Sequence, residues 1–424
     1  MIDLKDARVA VIGLGHVGLP LYLALAARYD VTGFDIEPSR IEELARRHDS
    51  TLSTSTEDWA AATSVHFSSN PAALDACNVY VVAVPTPVNE SRKPDLGPLL
   101  AASHTVGQAI SSGNVVIFES TVYPGATEED CIPVIERVSG LTYRKDFFAG
   151  YSPERVNPGD KTHRISNIKK VTSGSDPDTA TFVDALYDSI IPAGTYLAPS
   201  IRVAEAAKVV ENIQRDVNIA LINEFAMIFE RMQIDVLDVL DAAGTKWNFL
   251  PLRPGLVGGH CIGVDPYYLA HKAQVLGHHP TMLLTGRSIN DGMASWFARR
   301  LVQRMVAMDV ALKNARVLVL GLSYKLDVPD LSNTRVVDLK AELESHGMQV
   351  DVHDPLVNPV EVLKRFGFRL SEPGTDSYDA VILAVPHGVF LDGGPADVTT
   401  LCANARLVLD LNGALPRSAN ILRV

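Results

Sequence analysis

Cys261 lies in the run Gly258-Gly259-His260-Cys261-Ile262-Gly263-Val264-Asp265-Pro266, just ahead of a helix-like segment over 267–274. Flanking glycines leave a thiol accessible, and a helix N-terminus lowers its pKa, so this residue reads as a nucleophile. Cys77, Cys131 and Cys402 sit among apolar or helical neighbours and read as small core residues. His260 is adjacent to the thiol, but neighbours on an extended backbone point apart, so a Cys–His dyad is not expected. Lys208, Asn212 and Arg215 recur at i, i+4 and i+7 and so share one helix face. They could serve a site; with Glu205 and Glu211 alongside, they could equally be a solvated stripe.

A second kind of chemistry opens the chain. The apolar run Arg8-Val-Ala-Val-Ile12 leads into Gly13-Leu14-Gly15-His16-Val17-Gly18, then an apolar helix over 19–28 and a strand over 31–34 ending in Asp35. Strand, glycine-rich turn, helix and a distal acid are the context of a dinucleotide site. Gly13 permits the tight turn, Gly15 lets backbone approach a pyrophosphate, and Gly18 lets helix pack on strand. The helix N-terminus offers its unpaired N–H groups to the phosphates. Asp35 would accept from both ribose hydroxyls and repel a 2′-phosphate, which favours NAD over NADP. Arg40 could neutralise the pyrophosphate or cover the adenine, or be a solvated helix residue. The strands over 79–84 and 115–118 end in Pro85-Thr86-Pro87 and Glu119-Ser120-Thr121. Thr86 and Thr121 therefore fall at carboxyl strand ends, where such sheets bind ligands, although threonine there is also a common helix cap.

These residues must be held by larger elements, and the plan is written twice. The run over 7–13 is echoed over 315–321, that over 31–35 by 350–354, and that over 79–85 by 380–386. The second turn reads Gly321-Leu322-Ser323-Tyr324-Lys325, so this half has the fold without the three-glycine fingerprint, and Lys325 is a candidate phosphate contact. Between the halves, 201–234 contains no Gly or Pro, and Ser200 is its expected N-cap. Its apolar content exceeds one stripe, which suits a helix buried nearly all round at a domain junction and a subunit interface.

With 424 residues, 47% hydrophobic and 21% charged, the chain is globular with more than one domain. A formal charge of −12 with no Lys/Arg cluster argues against nucleic acid. No run approaches ~18 uninterrupted apolar residues, so no membrane span is expected. No basic-then-apolar leader precedes the first strand, and the cysteines lack metal-ligand spacing; a cytoplasmic protein with reduced thiols and no metal is expected.

Five blocks in order, Gly13-Leu-Gly-His-Val-Gly-Leu-Pro20, Val84-Pro-Thr-Pro87, Glu119-Ser-Thr-Val-Tyr-Pro-Gly125, Tyr151-Ser-Pro-Glu-Arg-Val-Asn-Pro-Gly159 and Gly258-Gly-His-Cys-Ile-Gly-Val-Asp265, are similar to those of the UDP-glucose/UDP-mannose dehydrogenase superfamily. The resemblance runs from Val9 to the last strand near Asp410. Gly-Gly-His-Cys, with Lys246-Trp-Asn-Phe-Leu-Pro-Leu-Arg-Pro-Gly255, resembles its UDP-GlcNAc/UDP-GalNAc 6-dehydrogenase branch, which serves capsule or O-antigen synthesis.

The resemblance implies two Rossmann-like doubly wound α/β domains, joined by a long central helix and a small helical domain. These would be an NAD-binding domain (1–199), a central dimerisation and catalytic domain (200–300) and a UDP-binding domain (301–424). It implies oxidation of a UDP-sugar at C6 to the acid, with two NAD consumed and Cys261 as nucleophile. Lys208 would stabilise oxyanions, with Asn212 and Asp265 holding it and a water. Glu154 would be the base for hydrolysis, helped by Thr121. Arg155, Val156, Arg215 and Gly259 fall at sugar-nucleotide contacts, Tyr324 and Lys325 at the UDP grip, and Arg335 at a residue reaching the cofactor. Lys246, Asn248 and Arg253 lie in a loop shaping the uridine or sugar pocket. Glucose enzymes carry a second acid four residues beyond Glu154; here Pro158 stands there, which disfavours glucose. Two other readings compete. A two-electron hydroxyacid-type dehydrogenase would not need Cys261, and a nucleotide-sugar sensor would not need the catalytic set.

Overall fold

Apolar runs of four or five residues are what a parallel sheet covered on both faces requires, and they recur at both ends of this chain. The computed structural model describes residues 2–51, 53–62, 64–89, 91–156, 165–259, 262–372, 378–392, 398 and 405–424. Pro158, His260, Cys261 and Cys402, all named above, lie outside the described residues. The chain divides into two compact units, Met1–Glu211 with Tyr267–His279 and Asn212–Pro266 with Pro280–Val424.

In the first unit, β1 (Arg8–Ile12), β2 (Asp30–Phe34), β3 (His66–Ser68), β4 (Val79–Val82), β5 (Val115–Phe118) and β6 (Phe148–Tyr151) form one sheet. Its order is β3-β2-β1-β4-β5-β6, with every pairing parallel. The order reverses at β1 and β4, the switch point at which such sheets bind dinucleotides. Helices α1 (Gly18–Ala26), α2 (Pro38–Ala45), α3 (Thr56–Ala61), α4 (Gly97–Ala109), α5 (Ile132–Ser139) and α6 (Pro177–Asp188) accompany it, with a small parallel pair, β7 (Lys170–Thr172) and β8 (Thr195–Leu197). The core joins Val9, Val11, Val79, Val81, Val115 and Ile117 to Leu19, Leu23 and Phe182.

The unit boundary falls within α7 (Ile201–Arg231), and α8 (Val236–Gly244), α9 (Asp265–Val275) and α10 (Thr281–Ala307) follow. The second unit's sheet comprises β9 (Arg316–Leu320), β10 (Gln349–His353), β11 (Ala380–Leu383), β12 (Leu407–Asp410) and β13 (Ile421–Arg423), with α11 (Val336–Ser345) and α12 (Pro359–Phe366). Its order, β10-β9-β11-β12-β13, again all parallel, repeats that of β2-β1-β4-β5-β6. Leu237 and Leu240 of α8 and Phe297 and Leu301 of α10 pack into the same core as Val317 and Val319.

Three ends depart from the sequence expectation. α1 stops at Ala26, where the last turn tightens and the Arg28 N–H donates to the Leu25 carbonyl three residues back. β4 stops at Val82, where the chain turns over Gly13. α7 stops at Arg231 rather than 234. Gln233 takes φ 58°, its N–H donates to the Glu230 carbonyl, and the Ile234 N–H donates to that of Phe229, a Schellman ending with no glycine. At the other end Ser200 caps the helix, accepting from the Val203 N–H at 3.3 Å.

α7 is not simply greasy all round. Glu205, Lys208, Asn212, Asp216 and Asn223 are all buried, while Val203, Val210, Leu221 and Ile228 are 45–55% exposed. At 3.6 residues per turn the four apolar residues fall within about 20° of one another, on the side opposite the buried polar set. The buried side thus mixes these polar residues with Val209, Ile213, Ile222 and Ala226, and Gln214 is exposed among the four apolar residues.

Candidate active site

The glycine-rich turn of the first unit has the stereochemistry a pyrophosphate needs. Gly13 has φ +90°, and a Cβ there would lie 2.8 Å from the Ala83 carbonyl oxygen. A Cβ on Gly18 would lie 1.7 Å from the Gly13 carbonyl oxygen, so α1 can start here only on glycine. Gly15 faces open space. Val17, at the N-cap, provides no side-chain cap; the Leu19 N–H donates to the Gly15 carbonyl at 3.1 Å and Pro20 has no N–H, so the Gly18 N–H is what the first turn of α1 offers an anion; His16 is exposed beside it. Asp35 accepts from the Leu14 N–H at 2.8 Å and the Glu37 N–H at 3.0 Å, so its carboxylate is fixed at the end of β2. Arg40 is not a solvated helix residue. Its Nε and Nη2 both donate to the Leu14 carbonyl at 2.9 Å, and it pairs with Asp49 and Glu43. This guanidinium braces the turn from behind.

The ends of β4, β5 and β6 carry the acid–base groups. Thr86 Oγ1 donates to the Thr121 carbonyl at 2.7 Å and Ser120 Oγ to the Val84 carbonyl at 2.6 Å, stitching two strand-end loops together. Thr86 is thus no helix cap. Glu205, fully buried in the first turns of α7, accepts from the Gly125 and Thr127 N–H groups at 2.6 and 2.9 Å, holding the far end of the Thr121 loop. Burial pushes the Glu205 carboxyl up to about 7, against those hydrogen bonds.

Glu154 Oε1 accepts from the N–H groups of Arg155 (2.8 Å) and Val156 (2.6 Å), and Oε2 lies 3.3 Å from Lys170 Nζ. Burial opposes its ionisation, but Lys170, the Val156 N–H and the charge of Lys208 outweigh it and hold the carboxyl below its ordinary value. Lys208 is 6% exposed, so the solvated-stripe alternative fails for it. The Arg155 guanidinium turns away to Glu211, at 2.7 Å, and the Lys169 carbonyl.

In the second unit Asn212, 8% exposed, donates to Asp265 at 2.5 Å; Arg215 is exposed. The loop leading to Cys261 is strongly held. Asn223 donates to the Gly255 carbonyl and accepts from its N–H, and it continues through Asn290 to Asp216 and Arg287. Gly258 and Gly259 have a packing cause: a Cβ on either would lie 2.8–2.9 Å from Tyr324 or from the Asn333 carbonyl oxygen. Gly259 N–H donates to the Ser332 carbonyl, and Asn333 donates back to that of Gly259. Tyr324 and Lys325 are half-buried on the same turn. Arg335 pairs with Asp291 at 2.6 Å and Asp338 at 3.1 Å. Lys246 and Asn248 are exposed on either side of Trp247, and Arg253 is exposed and pairs with Asp241.

Residues 7–191 match the NAD binding domain of the UDP-glucose/GDP-mannose dehydrogenase family, 202–292 its central domain and 318–417 its UDP binding domain. The chain belongs to the UDP-glucose/GDP-mannose dehydrogenase family. It is 52% identical over 422 residues to the UDP-N-acetyl-D-glucosamine 6-dehydrogenase of Pseudomonas aeruginosa, covering 99% of this chain and 100% of that one. It is 47% identical over 425 residues to the enzyme of the same name from Salmonella typhi, covering 100% of each. The solved UDP-D-ManNAc dehydrogenase from Pyrococcus horikoshii has a TM-score of 0.88 at 27% identity over 98% of both chains.

As a UDP-glucose/GDP-mannose dehydrogenase the chain is NAD-dependent, with an NAD-binding Rossmann half and a UDP-binding half, and the second half shows why its ligand differs. Gly321 repeats Gly13, at φ +88° beneath Val385. Asp354 repeats Asp35, accepting from the Leu322 and Ser323 N–H groups. However, Asp354 is 3% exposed and covered by His387 at 3.2 Å, and α11 starts only at Val336. The acid after β10 is thus covered, and no helix begins directly after the turn that follows β9. No helix among the described residues is long and apolar enough to cross a membrane, and none of their His, Cys, Asp and Glu side chains cluster to hold a metal. Cys77 and Cys131 are buried, their thiols pushed up by burial.

Sequence reading of this family member missed Glu119, Lys170 and Tyr187. Glu119 carried a readable signal, an acid directly after four buried apolar residues at a strand end. For Lys170 nothing in the neighbouring pair Lys169-Lys170 marks which lysine points inward.

Proposed function

We propose that the chain oxidises the C6 primary alcohol of a UDP-N-acetylhexosamine, UDP-GlcNAc or its C4 epimer UDP-GalNAc, to the uronic acid. The observation that carries this reading is the full-length identity to two relatives named UDP-N-acetyl-D-glucosamine 6-dehydrogenase. The domain roles we assign are NAD binding to 1–199, catalysis and dimerisation to 200–300, and UDP binding to 301–424. We assign the enzyme to the cytoplasm and to capsule or O-antigen precursor synthesis.

Two NAD, bound in turn, would supply the hydride acceptors for the two oxidations at C6. The cofactor's cradle fits the residues present, since Gly15 is open, Gly13 and Gly18 admit no side chain, and Asp35 is fixed at the strand end. The Cys261 thiolate adds to the C6 aldehyde, giving a thiohemiacetal whose oxidation leaves a thioester. Lys208 stabilises the oxyanions, supported by Asn212 and Asp265. Glu154 then takes a proton from water as the water oxygen bonds to C6, and the C–S bond breaks to release the carboxylic acid and the thiolate. A base held ionised by Lys170 and Lys208 supports this role. Arg155, Val156, Arg215, Lys246, Asn248, Arg253, Gly259, Tyr324 and Lys325 contact the sugar nucleotide, and Arg335 the cofactor.

Cys261→Ser tests the chemistry. A serine hydroxyl is almost wholly protonated at neutral pH and its ester is a poorer substrate for hydrolysis. Conversion of UDP-GlcNAc to acid should collapse while NAD and UDP-GlcNAc still bind, and wild type should release two NADH per acid. Acid formation by Cys261→Ser at near wild-type rate would sink the thioester route and revive the two-electron reading.

A further inference from the structure

Behind Glu154 lies a buried charge cluster that the scheme above leaves unused. Lys170 Nζ is 2.6 Å from Glu119 Oε2 and 3.3 Å from Glu154 Oε2. Tyr187 donates to the other Glu119 oxygen at 2.5 Å, and its ring centroid lies 5.4 Å from the ammonium. Glu119, Lys170 and Tyr187 are all buried. One cation from β7 is therefore shared by two carboxylates, one at the end of β5 and one beyond β6. Glu119 has one further donor, the Tyr187 hydroxyl, whereas Glu154 has two backbone N–H groups and the charge of Lys208 on α7. The nearby Arg155 and Glu211 are committed to each other.

We propose that Lys170 and Glu119 are positioning residues that set the basicity of Glu154, Lys170 by holding its carboxylate ionised and Glu119 by competing for the same ammonium. The inference rests on Glu154 being the base of thioester hydrolysis. While Glu119 is protonated, the charge of Lys170 falls wholly on Glu154, which is then a weak base. Once Glu119 ionises, it draws the ammonium toward itself and adds its own repulsion, so Glu154 becomes a stronger base and a better proton acceptor. Glu119 is pushed up to about 7, chiefly by burial, with Lys170 opposing and Glu154 adding repulsion. Descending in pH, the cluster therefore takes its first proton at Glu119 near neutrality and its second at Glu154 below the ordinary glutamate value, two steps of one coupled system. Glu119 and Lys170 need touch no substrate, and the proton taken from water stays on Glu154 until it is released.

The test is the pH dependence of acid release in single turnover by the full-length enzyme with UDP-GlcNAc and NAD. Wild type should rise in two steps, one at low pH and one near neutrality. Glu119→Gln keeps size and hydrogen bonding but cannot titrate, so the step near neutrality should vanish and the lower one remain. Lys170→Met should move the lower step upward by about one pH unit or more, the size expected from losing a charge within ~4–6 Å, and Lys170→Arg should restore it. If Lys170→Met does not fold, because it leaves Glu119 buried and unpaired, Glu119→Gln decides alone. A Glu119→Gln profile that superimposes on wild type overturns the proposal, as does a folded Lys170→Met whose lower step has not moved. Glu154→Gln, run in parallel, should accumulate acyl-enzyme by intact mass. If it hydrolyses normally, the role of Glu154 itself falls; if it stalls while the Glu119→Gln profile is unchanged, only the present inference falls.

Discussion

Two aspartates in equivalent positions do different work in the two halves. Asp35 and Asp354 each end the second strand of a Rossmann-like sheet, and each accepts from the N–H of the leucine after the turn glycine. Asp354 is buried, with Oδ2 also meeting His387 and Oδ1 accepting from the Leu356 N–H, whereas Asp35 remains partly accessible. A charge-assisted hydrogen bond contributes about 1.5–3 kcal/mol, so Asp35→Ala should raise the KM for NAD roughly 10–100-fold. Losing the carboxylate also removes the repulsion of a 2′-phosphate, so the NAD-to-NADP ratio of kcat/KM should fall. Asp35→Asn, which keeps an acceptor for the Leu14 N–H, separates ribose recognition from support of the turn. Cofactor preference unchanged in both variants would take Asp35 out of the cofactor site. At this scale the sequence was legible wherever a motif fixes a backbone: Gly13, Gly18 and Asp35 could be read from spacing. Lys170 and Tyr187 could not, because β7 and α6 bring them to Glu119 from far along the chain.

Helix ends were the least legible elements. α7 has no glycine or proline near its stop, and the reading over 201–234 runs three residues past Arg231. The stop is made by Gln233 in the left-handed region, a conformation that costs an L-residue roughly 1–2 kcal/mol and that no local composition announces. The burial of Glu205, Lys208, Asn212 and Asp216 on α7 was equally hidden, since spacing alone could not separate buried polar residues from a solvated stripe. The Schellman bonds of Gln233 and Ile234 hold the turn despite the strain. Gln233→Gly should therefore stabilise the protein by about 0.5–1 kcal/mol, the relief of strain less the extra unfolded-state entropy of glycine. A raised thermal midpoint with unchanged kcat is the expected result. A lowered midpoint would mean that the Gln233 side chain contributes more than its backbone costs.

For the whole molecule, the exposed side of α7 carries the sharpest consequence. Val203, Val210, Leu221 and Ile228 form one stripe over 25 residues, about 38 Å at 1.5 Å per residue, and each is 45–55% exposed in the single chain. Four exposed apolar side chains in line, interrupted by Gln214, on a helix that buries Lys208, Asn212 and Asp216 are not what a solvent-facing helix shows, and exposed apolar surface of this kind marks an interaction site. The stripe suits a second copy of the same helix, because a two-fold axis near its middle would lay Val210 of each copy against the Leu221 region of the other. A dimer at micromolar concentration is the expected outcome of size-exclusion chromatography with light scattering. Each substitution enters a two-fold interface twice, so a buried unpaired charge at Leu221 acts on both sides of the axis. Leu221→Glu should weaken association at least about 100-fold, corresponding to ~2.7 kcal/mol, while the exposed glutamate leaves the fold of each monomer intact. A wild-type monomer at micromolar concentration, or a Leu221→Glu dimer of undiminished affinity, would show that the stripe faces something other than its own copy.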